Sequence, residues 1–220
     1  VRVNTDQKPG ISAQGSVSEV KAYTDTLAKM YNTNIRSAAT SGSKADVNLL
    51  ADSDADITSS ADALSVSAGT GTNWAGGAPI SVIKSDADTK ADVKGGTWDV
   101  QNALIKAKSV NKITDVAIGL GVAAGSDVAG TLTGNIASNK IENDTSSLVT
   151  NATITSQGNL GVVADSEEKL KNYGGALSVS ASSKAAVALG TTVVTNSITG
   201  NTDAIVTGSN LAAYGRNGAN

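Results

Sequence analysis

Apolar and polar residues alternate along much of this chain, and the alternation returns at a fixed interval. Leu64-Ser65-Val66-Ser67-Ala68 comes back as Leu120-Gly121-Val122-Ala123-Ala124 and as Leu177-Ser178-Val179-Ser180-Ala181, steps of 56 and 57 residues. Ala51-Asp52-Ser53 keeps the same steps, as Ala107-Lys108-Ser109 and Ala164-Asp165-Ser166. A period of two puts alternate side chains on opposite faces of a strand, and a long fixed period marks a repeat architecture.

Laid over one another, three modules share aliphatic columns: Leu49/Ile105/Val162, Ile57/Ile113/Leu170, Leu64/Leu120/Leu177, Val66/Val122/Val179 and Ile80/Ile136/Val193. These columns predict the inward face, with Leu64 and Val66 inside and Ser65 and Ser67 outside. Strands of about four to six residues are expected between turn formers such as Gly76-Gly77, Gly95-Gly96 and Gly174-Gly175. Val20, Tyr23, Leu27 and Met30 have a helix-like spacing, whereas Lys21-Ala22-Tyr23 matches Lys90-Ala91-Asp92 of the next module. Residues 20–31 therefore stay open between helix and strand. In the strand reading an insertion of about 13 residues precedes Leu49.

The expected organisation is a decayed module end over residues 1–46, then one continuous domain over 47–220 built of modules 47–102, 103–159 and 160–220. Each module is expected to wind three coils of about 19 residues or two of about 28, and ten to twelve coils would stack into a rod on the order of 50 Å long. Open terminal coils aggregate unless capped, so continuation of the natural protein in both directions is expected.

Composition supports a stacked core. There is no Phe, His or Cys, and only one Met, two Trp and four Tyr, while 40% of residues are apolar and the net charge is −3. That is too apolar and too weakly charged for disorder. The fold class expected is all-β: a right-handed parallel β-helix of imperfect 56–57-residue modules, its hand following the rule for parallel crossovers. The pI of about 4.9 argues against nucleic acid and anionic membrane surfaces. No run approaches the roughly 18 apolar residues of a membrane helix, so no membrane insertion of this segment is expected. The start at Val1 and the lack of a signal peptide suggest an excised or processed fragment.

Tyr173-Gly174-Gly175-Ala176-Leu177-Ser178-Val179-Ser180, continuing through Thr195-Asn196-Ser197-Ile198-Thr199-Gly200-Asn201-Thr202 to Ala204-Ile205-Val206, resembles the repeats of large secreted exoproteins of the filamentous-haemagglutinin type, leukotoxin-like repeats included. The resemblance covers residues 47–220 and is compositional and periodic. It implies a right-handed parallel β-helix exported by the type V route through an outer-membrane barrel, acting as adhesin or cytotoxin. The family's N-terminal secretion domain and a C-terminal effector are not recognisable in this chain.

Candidate chemistry is sparse. Without His or Cys, Ser-His-Asp, Cys-His and His-metal sites are excluded within this chain. Asp52, Asp54, Asp56, Asp86, Asp88 and Asp92 are candidates for a paired-carboxylate glycosidase or lyase, but read more simply as solvated positions. Asp52 becomes Lys108 and then Asp165, a reversal that a catalytic column would not tolerate. Asp52-Ser53-Asp54-Ala55-Asp56 opens like a calcium loop, yet Ile57 stands where glycine belongs and Ala63 where the closing Glu belongs. No catalytic residue, metal or cofactor is expected. Trp74 and Asn73, in a Gly-rich segment, are candidate ligand contacts, against the alternative that Trp74 covers a strand edge. Trp98 aligns with Thr155 and is expected outside. Asn143 and Asn151 open glycosylation sequons.

The expected function is a structural shaft or passenger segment of a secreted or cell-surface exoprotein of a Gram-negative bacterium, supporting adhesion. The alternatives are an adhesin face that binds a host glycan or protein directly, a β-helix polysaccharide-degrading enzyme, and part of a secreted cytotoxin. Expected partners are a host-cell surface protein or glycan and, during export, the outer-membrane secretion barrel.

Overall fold

The structure, a computed structural model, describes residues 2–4, 10–37 and 44–215. Of the expected module end at 1–46, residues 1, 5–9 and 38–43 lie outside the described residues. Among the described residues twelve strands follow one another: β1 (Arg2–Asn4), β2 (Gly10–Tyr31), β3 (Ile35–Arg36), β4 (Val47–Gly69), β5 (Thr72–Lys94), β6 (Thr97–Val100), β7 (Ala103–Gly125), β8 (Val128–Thr150), β9 (Thr153–Ser156), β10 (Leu160–Ser182), β11 (Ala185–Thr207) and β12 (Asn210–Ala213). Residues 20–31 are strand, settling the ambiguity left by their spacing.

They form three all-parallel sheets: a long sheet β1-β4-β7-β10, a second long sheet β2-β5-β8-β11, and a short sheet β3-β6-β9-β12. The chain is a parallel β-solenoid, and one module is one coil. Coils of 19 or 28 residues are overturned, because each repeat holds two 23-residue strands and a four-residue one. Gly76-Gly77 and Gly174-Gly175 lie inside long strands instead of ending short ones. Four layers about 4.8 Å apart stack only some 15–20 Å high, whereas 23 residues at about 3.3 Å extend some 75 Å. The result is a broad slab, not a narrow rod.

The ladder follows the repeat. Val47 pairs with Ala103 and Ala103 with Leu160, steps of 56 and 57. Gly10 pairs with Asn73, a step of 63, and Lys21 pairs with Lys84 instead of Lys90. The first coil is thus seven residues longer than 56, not about 13. All length differences fall at one corner, between the short sheet and the first long sheet. Two residues separate Val100 from Ala103, three separate Ser156 from Leu160, and ten separate Arg36 from Val47. The corner before the short sheet is constant. Asn32, Gly95, Asn151 and Gly208 occupy it in successive coils with φ of 51°, 69°, 52° and 60°. Only Gly and, at some cost, Asn adopt this left-handed conformation readily, which explains their alternation in the column.

The cross-section tapers. At the wide end the short sheet holds the long ones apart, and Trp98 packs with Val93, Val100, Ile105, Val149 and Ile154. Trp98 is 0% exposed and its Nε1 donates to the Thr33 carbonyl at 3.1 Å. The expected outward placement was one residue out of register: Trp98 pairs with Ile154, not Thr155. Midway, Ile83, Ile113 and Ile141 form a second apolar cluster against Val20, Ile57 and Leu170. Between the clusters the interior is polar and bonded in part: Ser109 donates to Asn143 Oδ1 at 3.0 Å and accepts from Asn111 Nδ2 at 3.3 Å, while the buried hydroxyls of Ser53, Thr89 and Thr145 have no hydrogen-bond partner among the described residues. Such pairing is the condition for burying hydroxyls and amides.

At the narrow end the strands reverse through the two-residue turns Thr70-Gly71, Ser126-Asp127 and Ser183-Lys184. Here the two long sheets come close. A Cβ on Gly77 would lie 3.1 Å from the Leu120 carbonyl oxygen, and one on Gly119 would lie 2.8 Å from that of Gly134. Only small side chains fit between them, so Ser65, Ser67, Asn73, Thr131 and Thr133 are buried inside. Leu64, Leu120, Leu177, Val66, Val122, Val179, Ile80, Ile136 and Val193 take the alternate positions, outside. The expected facing is therefore reversed in this half of each strand and holds in the other half, where Leu49, Ile105 and Ile113 are buried.

Candidate interaction surface

Four columns on the outer face of β2-β5-β8-β11 define the first candidate surface. They are Ile11–Trp74–Gly130–Val187, Ala13–Gly76–Leu132–Leu189, Gly15–Ala78 with Gly134–Thr191, and Val17–Ile80–Ile136–Val193. The small residues make a valley of about 600 Å³ between aliphatic ridges, apolar almost throughout. Leu132 is 60% exposed on its flank. The other outer face carries a second depression, about 470 Å³, between Ile118, Tyr173 and Leu177.

Trp74 stands at the edge of the first valley, 43% exposed. Its ring lies over Gly130 of the next coil: a Cβ there would come within 2.2 Å of Trp74 Cζ3. The glycine makes room for the indole, and Trp74 covers backbone while leaving one ring surface to solvent. Asn73 points the other way. Buried, it donates from Nδ2 to the Gly69 carbonyl at 3.1 Å and accepts from Ser67 Oγ at 3.3 Å, so it braces the turn and cannot meet a ligand outside.

Toward the wide end the outer faces become charged. Glu142 accepts from Lys140 at 2.6 Å and Lys84 at 2.9 Å. Lys140 first and then Lys84 hold its carboxyl below the ordinary Glu value, while Glu142 raises Lys84. Tyr31 donates to Asp92 Oδ2 at 2.6 Å, which raises the phenol above its ordinary value. Asp52, Asp54 and Asp56 project outward from β4 on one face, and Asp86 and Asp88 from β5 on the opposite face. The six candidate carboxylates do not converge. A straight strand also cannot wrap Asp52, Asp54 and Asp56 around one ion, and no group of three or more metal-ligating side chains occurs among the described residues.

Asn143 lies inside the solenoid, donating to Ser166 Oγ at 2.7 Å and Glu168 Oε1 at 2.6 Å, which leaves no path for a glycan. Asn151 is exposed at its turn. The outward band around Ile118, Leu132 and Ile136 escaped the sequence reading. A signal for it exists: the alternate column is small in every copy, Ser65/Gly121/Ser178 and Ser67/Ala123/Ser180, as a tight interior requires.

No protein-family model matches the chain, and neither a curated protein nor a solved structure matches it.

Proposed function

We propose that this chain is a non-enzymatic scaffold segment of a secreted or cell-surface bacterial exoprotein, supporting adhesion carried by neighbouring regions. The observation behind this reading is the ladder itself. Pairing runs unbroken through nearly every residue of β4, β7 and β10, while the outward charges change from coil to coil, as Asp52–Lys108–Asp165 does. Continuous stacking with drifting outer chemistry supplies stiffness and geometry and needs no fixed reactive group. The type V route, the secretion barrel as export partner and the outer surface as location belong to the same proposal, on the strength of the repeat resemblance.

A second reading, direct adhesion, is favoured by the valley beside Trp74. Binding of the full chain to a glycan array and to cultured host cells separates the two. The scaffold reading expects no binding above a control protein. Specific binding that disappears in Trp74→Ala would replace it with direct adhesion.

A further inference from the structure

The narrow end is inverted in polarity on both outer faces and inside, and the inversion stops at one level. Ile57, Ile83, Ile113 and Leu170 pack together and so mark a common depth on the two long sheets. Beside them, Lys21, Lys84 and Lys140 form a column on one outer face. Lys112, Lys169 and Lys171 lie at the same depth on the other. From this level to the turns, the long strands carry only three charges: Glu19, ion-paired with Lys21 at 2.6 Å, Asp62, and Asp115, which is buried inside and accepts from Ser81 Oγ at 2.5 Å. The turns add Asp127 and Lys184, which pair with each other. Apart from Asp115, every inward side chain of the long strands between these levels is uncharged. Tyr23 and Tyr173 stand near the lysine level and Trp74 near the turns, each on an outer face and more than 40% exposed.

We propose that this narrow end crosses a lipid bilayer, with the lysine level at one headgroup region and the turns at the other. From Thr72 to Val82 is eleven residues. At about 3.3 Å each they extend some 36 Å, against a hydrocarbon thickness of about 30 Å and the roughly 9–11 residues of a tilted membrane strand. Alternation of apolar outside with polar inside, bordered by aromatic residues, is how strands present themselves to lipid. It contains no long apolar run, which is why a search for such runs predicts no insertion.

Lipid fits this band better than a second copy does. A dimer through one face would leave the opposite face, equally apolar, in water. Lipid surrounds both faces and the tip together. Shallow immersion would place the Asp127–Lys184 pair in hydrocarbon, whereas crossing returns it to water. One requirement follows. Among the described residues, β2 and β11 are the edges of their sheet and pair with no further strand, which leaves edge backbone groups that hydrocarbon cannot satisfy. The inserted species must therefore join its edges to those of other copies. The inference stands on the band and does not depend on the exoprotein reading.

The test uses the full chain with phosphatidylcholine vesicles. The protein should float with the vesicles and cross-link there as oligomers. Trp74 fluorescence should be quenched by brominated phosphatidylcholine, with Trp98 left as an unquenched background. Trp98→Phe, which leaves Trp74 alone, should show the quenching directly. The double substitution Val122→Asp with Ile136→Asp, one on each outer face, should reduce flotation by about tenfold or more while the circular dichroism stays that of the parent. No flotation, flotation without Trp74 quenching, vesicle-bound monomers only, or equal flotation of the double variant would each overturn the proposal. A dimer in solution, dissolved by Ile136→Asp and indifferent to vesicles, would assign the band to a second copy.

Discussion

Leu120 and Gly121 are adjacent, and the structure assigns them opposite roles from those their types suggest. Replacing Gly121 with Val tests this through the sign of the effect. A Cβ at Gly121 would lie 2.7 Å from Thr133 Cγ2 and 3.5 Å from Thr131 Cγ2 in the facing sheet. Ordinary carbon contacts lie at about 3.5–4.0 Å, so the nearer one is short by about 1 Å before the two Val methyls are added. Forcing extra carbons into a packed interior costs about 1–3 kcal/mol. Were Gly121 outside, as the alternation of Leu and Val with small residues first suggests, Val would gain on the order of 1 kcal/mol from strand propensity. Leu120→Ser is the complement. A half-buried outer leucine should lose less than about 1 kcal/mol in water, against about 2–5 kcal/mol for truncating a core leucine. Urea unfolding followed by far-ultraviolet circular dichroism measures both. A raised midpoint for Gly121→Val, or a larger loss for Leu120→Ser than for Gly121→Val, would refute the inverted packing of the narrow end.

Trp98→Ala should destabilise by about 3–5 kcal/mol through the cavity it leaves, and Trp74→Ala by less than about 1 kcal/mol in the absence of lipid; denaturant midpoints in the reverse order would contradict the placement of Trp98 inside. Glu142, held by Lys140 and Lys84, has a folded pKa below its unfolded one. Its contribution is therefore present above the ordinary Glu value of about 4.3 and is lost as the pH falls through the lower folded value. Unfolding midpoints measured from neutral to acid pH should fall more steeply below that point in the parent than in Glu142→Gln, and superimposable acid limbs would remove the role assigned to the two lysines.

The repeat made the ladder legible: Leu49/Ile105/Val162 and Ile57/Ile113/Leu170 are true inward columns, paired in the register their spacing predicts. Two features were hidden. The first was strand length, because Gly77 and Gly174 closely approach the facing sheet, Gly76 and Gly175 point outward, and none of the four turns the chain. The second was the change of facing near residue 60. Hydrophobicity marks the core only where the core has room for it, and the narrow end does not. Asn73, in the narrow end, and Asn143, in the polar interior between the apolar clusters, were both misplaced, since amides beside turns and hydroxyls read as surface chemistry. Here Asn73 bonds Ser67 and the Gly69 carbonyl where the interior is too thin for leucine, and Asn143 bonds Ser109 and Ser166 farther in. Trp74 was legible in part: its pairing with Gly130 shows in the column, but the valley it borders needs four coils side by side.

The corner after the short sheet, where coils differ by one residue or by seven, is a seam. One residue gained or lost inside a 23-residue strand would exchange inside for outside along everything beyond it. At the seam, added length leaves that phase untouched. Chance insertions should therefore survive along a single line down the edge of the slab. The same line offers an engineer a row of grafting points about 4.8 Å apart, at which foreign peptides could be displayed at molecular spacing.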